Sequence, residues 1–93
     1  MVFSIKFNEE KNQLLKATRR IGFNEILEAI DNGGLLADIV NSSSDRSGQR
    51  LYVVNINDYA YAVPYVVNNL KKEIFLKTAY PSRFLTRKYI KGE

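Results

Sequence analysis

Two of the side chains most used in catalysis are missing from this 93-residue chain: it has no cysteine and no histidine. The first absence excludes disulfides, thiolate zinc sites and cysteine nucleophiles. The second removes the commonest general base and the commonest transition-metal ligand. Tryptophan is also absent, and there are only two prolines. No apolar run approaches the ~20 residues that a membrane helix needs, and the N-terminus does not read as a signal peptide. The expected location is therefore the cytoplasm, with no membrane partner. Any chemistry must come from Lys, Arg, Tyr, Ser, Thr, Asp or Glu.

What is present is a modest positive charge, unevenly placed. Fourteen Lys and Arg stand against ten Asp and Glu, a net +4. Residues 1–70 carry seven basic and eight acidic side chains, whereas residues 71–93 carry seven basic and two acidic. A basic C-terminal quarter points to a polyanion partner. The length fits one domain, 1–93.

Hydrophobic periodicity predicts an α+β fold. Val2 to Phe7 alternates as a strand. Asn8 caps a helix over Glu9 to Arg20, with carboxylates at its start and cations at its end, as the helix dipole favours. Its apolar stripe is Leu14, Leu15, Ala17 and Ile21. Gly22 breaks it, Asn24 caps a second helix, and Phe23, Ile26, Leu27 and Ile30 share one face of that helix. Asn32-Gly33-Gly34 ends it, and Leu35 to Val40 is a short strand. The polar stretch Asn41 to Gln49 reads as a surface loop. Arg50 to Ile56 and Tyr59 to Val66 form a hairpin about Asn57-Asp58. This pairing puts Tyr52, Val54 and Ile56 on one face with Tyr59, Tyr61, Val63 and Tyr65. The other face carries Leu51, Val53, Ala60, Ala62 and Pro64, and its small residues leave room for a helix. Pro64 predicts a bulge or a strand edge. Val67 to Lys71 is a turn, Lys72 to Thr78 a last strand, and Pro81 to Lys91 a closing helix. The expected architecture is an antiparallel sheet with helices on one face, an open tyrosine-rich face, and a basic C-terminal helix beside it.

The segment Glu73 to Arg83 is the richest in candidate chemistry. Lys77 closes a strand, Tyr80 and Ser82 sit in the following turn, and Arg83 and Arg87 share a helix face at i and i+4. Lys88 and Lys91 add charge. Guanidinium forks and helix N-terminal amides hold phosphate, and the same groups stabilise a phosphorane. Tyr52 and Tyr61 are candidates for base stacking. The alternatives are ordinary ones: a solvated basic helix, and tyrosines that are half-buried strand residues. Glu9, Glu10, Glu25, Glu28 and Asp31 read as helix surface. No paired-carboxylate strand motif, phosphate-binding glycine loop or serine–histidine pair is present, so neither a metal site nor a cofactor is expected.

The stretch Ile5-Lys6-Phe7-Asn8-Glu9-Glu10-Lys11-Asn12, followed by Gly22-Phe23-Asn24-Glu25, resembles the opening of BrnT-like toxins. Ser82-Arg83-Phe84-Leu85-Thr86-Arg87-Lys88-Tyr89 is similar to that family's closing helix, and Leu51 to Lys77 fits its strand meander. The chain differs from the family in having no histidine in Arg19-Arg20-Ile21-Gly22, and in carrying Lys88-Tyr89 where many members have a glutamate. The resemblance implies a RelE/ParE-like fold and a toxin of a bacterial type II toxin–antitoxin pair. The implied activity is metal-independent cleavage of RNA, ribosome-associated mRNA included, which arrests translation. The implied partner is a cognate antitoxin in a hetero-oligomer. On this reading Lys77, Tyr80, Arg83 and Arg87 are catalytic, and Tyr52, Tyr61, Ser82, Lys88 and Lys91 bind RNA. The competing reading is a non-catalytic module of the same fold, which binds a topoisomerase or an operator beside an antitoxin.

Overall fold

The computed structural model describes residues 3–40 and 49–92. The surface loop expected at Asn41 to Gln49 lies outside them except for its last residue. Strand β1 (Ser4–Phe7) leads into helix α1 (Glu9–Arg19). Asn8 caps that helix by accepting the Lys11 backbone N–H at 3.0 Å. Arg20 closes it in the left-handed region (φ 61°), one residue short of the expected end. The buried stripe of α1 is Asn12 and Leu15. Leu14, expected to be buried, is 53% exposed.

Helix α2 (Phe23–Ala29) starts one residue before the expected cap. Gly22, not Asn24, is the cap residue, and its N–H donates to the Glu25 carboxylate at 3.0 Å. The reason is a tertiary contact. Asn12, buried to 1% exposure, accepts the Phe23 N–H at 2.7 Å and so binds the start of α2 to α1. A Cβ at Gly22 would lie 2.4 Å from Asn12 Oδ1, so only glycine lets the two helices approach this closely. A π-helical turn, Ile30–Gly34, ends α2, with Gly33 at φ 88°.

The strands β2 (Leu35–Val40), β3 (Arg50–Ile56) and β4 (Tyr59–Asn68) form an antiparallel meander. The β3–β4 hairpin has the predicted register, Ile56 opposite Tyr59 and Val54 opposite Tyr61. Its turn residues Asn57 and Asp58 both have positive φ, 54° and 65°, as a two-residue turn of the right twist requires. Strand β5 (Glu73–Leu76) pairs antiparallel with β4, and a two-residue strand β6 (Tyr80–Pro81) pairs with β4 further along. The break between β5 and β6 falls opposite Pro64, which has no N–H to give to a ladder; the Lys77 N–H is bound there to the Pro64 carbonyl at 2.8 Å. Pro81 thus lies in a strand, and helix α3 (Arg83–Tyr89) begins after it, capped by Ser82, which accepts the Leu85 N–H at 3.1 Å.

The chain is α+β, but its sheet is mixed rather than antiparallel. Strand order is β1-β5-β4-β3-β2, and β1 runs parallel to β5. Helices also cover both faces. Leu15, Phe23 and Ile26 from α1 and α2 pack on Val54, Val63, Tyr65 and Leu76. Leu85 from α3 packs on Leu51, Val53, Ala60 and Ala62, with Tyr89 and Ile90 alongside. The small residues do receive a helix, and it is the C-terminal one. Thr86, 3% exposed, ties α3 to β4: its hydroxyl accepts the Ala60 N–H at 2.9 Å and donates to the Ser82 carbonyl at 2.7 Å. The tyrosine-bearing face, expected to be open, lies under α1 and α2. Among the described residues, no helix is long and apolar enough to cross a membrane.

Candidate nucleic-acid interface

The tyrosines of the sheet are engaged within the protein. Tyr52 is half-buried and stacks on Tyr65, with ring centroids 4.0 Å apart and planes at 11°. Tyr65 is 3% exposed, and its hydroxyl donates to Asp38 Oδ1 at 2.6 Å. The same oxygen accepts from Arg50 Nε at 3.1 Å, and Arg50 Nη2 donates to the Asp38 carbonyl at 3.0 Å. Burial pushes the Tyr65 phenol well above its ordinary range, and the hydrogen bond to Asp38 adds to this. Burial also raises Tyr52. Tyr61 is half-buried and edge-on to Tyr59, 6.4 Å between centroids. One face of the Tyr52 ring, expected to stack on a base, is taken up by Tyr65 within the protein.

The segment after β4 behaves differently. Lys77 and Tyr80 are exposed and line two grooves along α1. One is bounded by Lys11, Leu14, Arg19 and Tyr80, the other by Glu10, Lys11, Leu14, Phe75 and Lys77. Both are bordered by Lys11 and Leu14, so the two grooves lie side by side along α1, a two-part channel facing the chain from Phe75 to Tyr80. Their volumes, about 490 and 730 Å³, fall in the range of about 300–1,000 Å³ that holds small ligands. The local reason for the channel is the break at Pro64. With no N–H from Pro64, residues 77–79 leave the regular ladder: Lys77 and Thr78 reach the margin, while Ala79 is buried in the core.

Three cations and two aromatic rings thus meet where the sequence offered only Lys77 and Tyr80. Lys11, Arg19 and Phe75 are not among the site residues that the sequence singles out. The exposed apolar side of α1 at Leu14 marks this margin only once the helix has buried Asn12 in its place. Lys77 Nζ lies 5.6 Å from the Phe75 ring centroid. Among the described residues, Asp38–Arg50 is the ion pair formed, so the channel's cations have no carboxylate partner within salt-bridge distance.

Arg83 and Arg87 do not line this channel. Both are exposed on α3, which lies on the other face of the sheet. Ser82 is used as the helix cap, Lys88 rests 5.6 Å from the Tyr89 ring, and Lys91 is exposed beyond the helix end. No group of three or more His, Cys, Asp or Glu that would hold a metal occurs among the described residues. No protein-family model, curated protein or solved structure matches the chain.

Proposed function

We propose that this chain is a toxin-type endoribonuclease that binds RNA in the channel between α1 and residues 75–80 and cleaves it without a metal ion. The observation that carries the reading is the gathering of Lys11, Arg19, Lys77 and Tyr80 along two adjoining grooves, where three cations stand against the single carboxylate of Glu10 and none of them is in an ion pair. A groove lined by cations with aromatic rings among them suits a phosphate backbone with unpaired bases. The resemblance to BrnT-like toxins and the basic charge of residues 71–93 lead to the same partner.

In the proposed reaction an RNA 2′-oxygen attacks the adjacent phosphorus. The new 2′-O–P bond forms as the P–O5′ bond breaks, giving a 2′,3′-cyclic phosphate and a free 5′-hydroxyl. Lys77 or Tyr80 takes the 2′-hydroxyl proton, and a proton is returned to the departing 5′-oxygen. Lys11 and Arg19 hold the phosphate and the charge that develops on it. Arg83 and Arg87, outside the channel, bind the flanking backbone. A cognate antitoxin that covers the channel is the expected protein partner.

The test is incubation of the purified chain with RNA in excess EDTA, with analysis of the product ends. The reading predicts cyclic phosphate and 5′-hydroxyl ends, lost in Tyr80→Phe or Lys77→Ala. RNA binding without cleavage in the unmodified chain would instead favour the non-catalytic module.

A further inference from the structure

We infer that Phe75 is a stacking platform for an unpaired base, and that the RNA path continues past it into a second groove that reads base edges at Asn68 and Asn69. This inference rests on the proposal that the channel is an RNA site, and it adds the residues that choose single strands over duplex. Phe75 is 36% exposed although it sits mid-strand in the sheet. The reason is the incomplete cover of its face. Ile74 and Leu76 point into the core under α1 and α2, so Phe75 lies on the face that carries α3. Helix α3 packs on the β3–β4 hairpin, and among the described residues no helix lies over the β1–β5 side of that face. Across that side the register sets Lys6 beside Phe75 on one flank and Val66 on the other.

Phe75 also links two grooves. It bounds the cationic one with Lys11 and Lys77, and it bounds a further groove at the β4–β5 turn with Asn68, Asn69 and Leu70. The second groove carries the Asn68 and Asn69 amides beside the Glu73 carboxylate, where the first carries Lys11 and Lys77 beside Glu10. Asn68 uses its carbonyl oxygen to accept the Lys71 N–H at 3.1 Å, which leaves its NH₂ to donate. Asn69 is exposed, and Leu70 is 97% exposed. The path thus runs from Tyr80 and Arg19, past Lys11 and Lys77, over the Phe75 ring, to the asparagines. A phosphate on each side of a stacked base meets Lys77 and Lys6. A base in a duplex has both faces occupied and cannot reach the ring. Lys77 rests near that ring in the free protein and moves onto phosphate when a base takes its place.

The test uses a fluorescent 2′-O-methyl single strand of about eight nucleotides, which cannot be cleaved, and the same strand annealed to its complement. The expected result is single-strand binding that exceeds duplex binding, weakened about tenfold in Phe75→Leu, the loss of one base stack. Phe75→Tyr restores it, and Asn69→Ala flattens preferences among sequences. The melting temperature of Phe75→Leu stays near that of the parent chain. Equal affinity of Phe75→Leu, or of the duplex, overturns the inference, as does displacement of the strand from Phe75 by an apolar peptide with no RNA contact there. Cleavage of RNA in EDTA with unchanged binding in Phe75→Leu would keep the nuclease proposal and remove the platform. Ring-dependent binding without any cleavage would do the reverse.

Discussion

Two clusters of aromatic and cationic side chains lie on this small sheet, and they have opposite characters. In the first, Tyr52, Tyr65, Asp38 and Arg50 satisfy one another: the rings stack, the Tyr65 hydroxyl and the guanidinium share one carboxylate, and the phenols are driven away from ionisation by burial. In the second, Phe75, Lys77 and Tyr80 line open grooves with Lys11 and Arg19, and the cations outnumber the one carboxylate there, Glu10, with which none forms an ion pair. The residue types are nearly the same. What separates a structural cluster from a candidate working surface is whether its polar groups already have partners, because satisfied groups gain little from a ligand and unsatisfied exposed cations gain phosphate.

The comparison can be broken at either cluster. The largest effect expected is Tyr65→Ala, which removes a core ring that packs with Leu76, Val63 and Phe23. Loss of about 3–5 kcal/mol is expected, as for other aromatic truncations in cores, measured by urea unfolding. Lys77→Ala should do the opposite. As an exposed side chain it costs within about 0.5 kcal/mol of stability, while RNA cleavage falls by about 100-fold or more if it moves the proton, measured by single-turnover kinetics.

Tyr65→Phe is a finer probe. It removes a charge-assisted hydrogen bond to a partly exposed carboxylate, so about 1.5 kcal/mol is expected. The pH dependence has a fixed sign. Tyr65 and Tyr52 are raised above the ordinary phenol value, so the folded state keeps protons that the unfolded chain releases. Their contribution is fully present below a pH of about 10 and is lost as the pH climbs from there through the raised folded values. Thermal melts between neutral and strongly alkaline pH should therefore fall more steeply for the parent chain than for Tyr65→Phe. The smallest effect expected is on salt dependence. Arg83→Ala and Arg87→Ala should each lower the slope of log K against log salt by about 0.7 for single-stranded RNA, with cleavage chemistry little changed.

Where the signal is local, the sequence carries it. Asn57-Asp58 between alternating apolar runs sets the hairpin register, because both residues tolerate positive φ and the two-residue turn fixes which faces align. Asn8 and Gly33 likewise mark element ends through their own backbone or cap chemistry, whereas Ser82 proves to be the cap of a helix that the sequence started at Pro81. The site residues Lys77 and Tyr80 stand out by type and by proximity in the chain.

Where the answer depends on distant pairing, it is hidden. The parallel β1–β5 contact joins residues about seventy positions apart, and nothing in Ser4–Phe7 specifies it. Asn12 is a polar residue in a helix until α2 arrives to donate the Phe23 N–H. The tyrosine face read as open because period-2 alternation gives two faces without saying which helix covers each. That same ambiguity hid Lys11, Arg19 and Phe75, whose roles exist only after α1 is laid beside the break in the sheet at Pro64.

The most direct measurement of the central claim is RNA cleavage in EDTA by Lys77→Ala and Tyr65→Phe, assayed side by side at a temperature where both are folded by circular dichroism. The account predicts that Lys77→Ala is as stable as the parent chain and cleaves poorly, whereas Tyr65→Phe melts earlier and cleaves at the parent rate. Full cleavage by Lys77→Ala, or its loss in folded Tyr65→Phe, would contradict it.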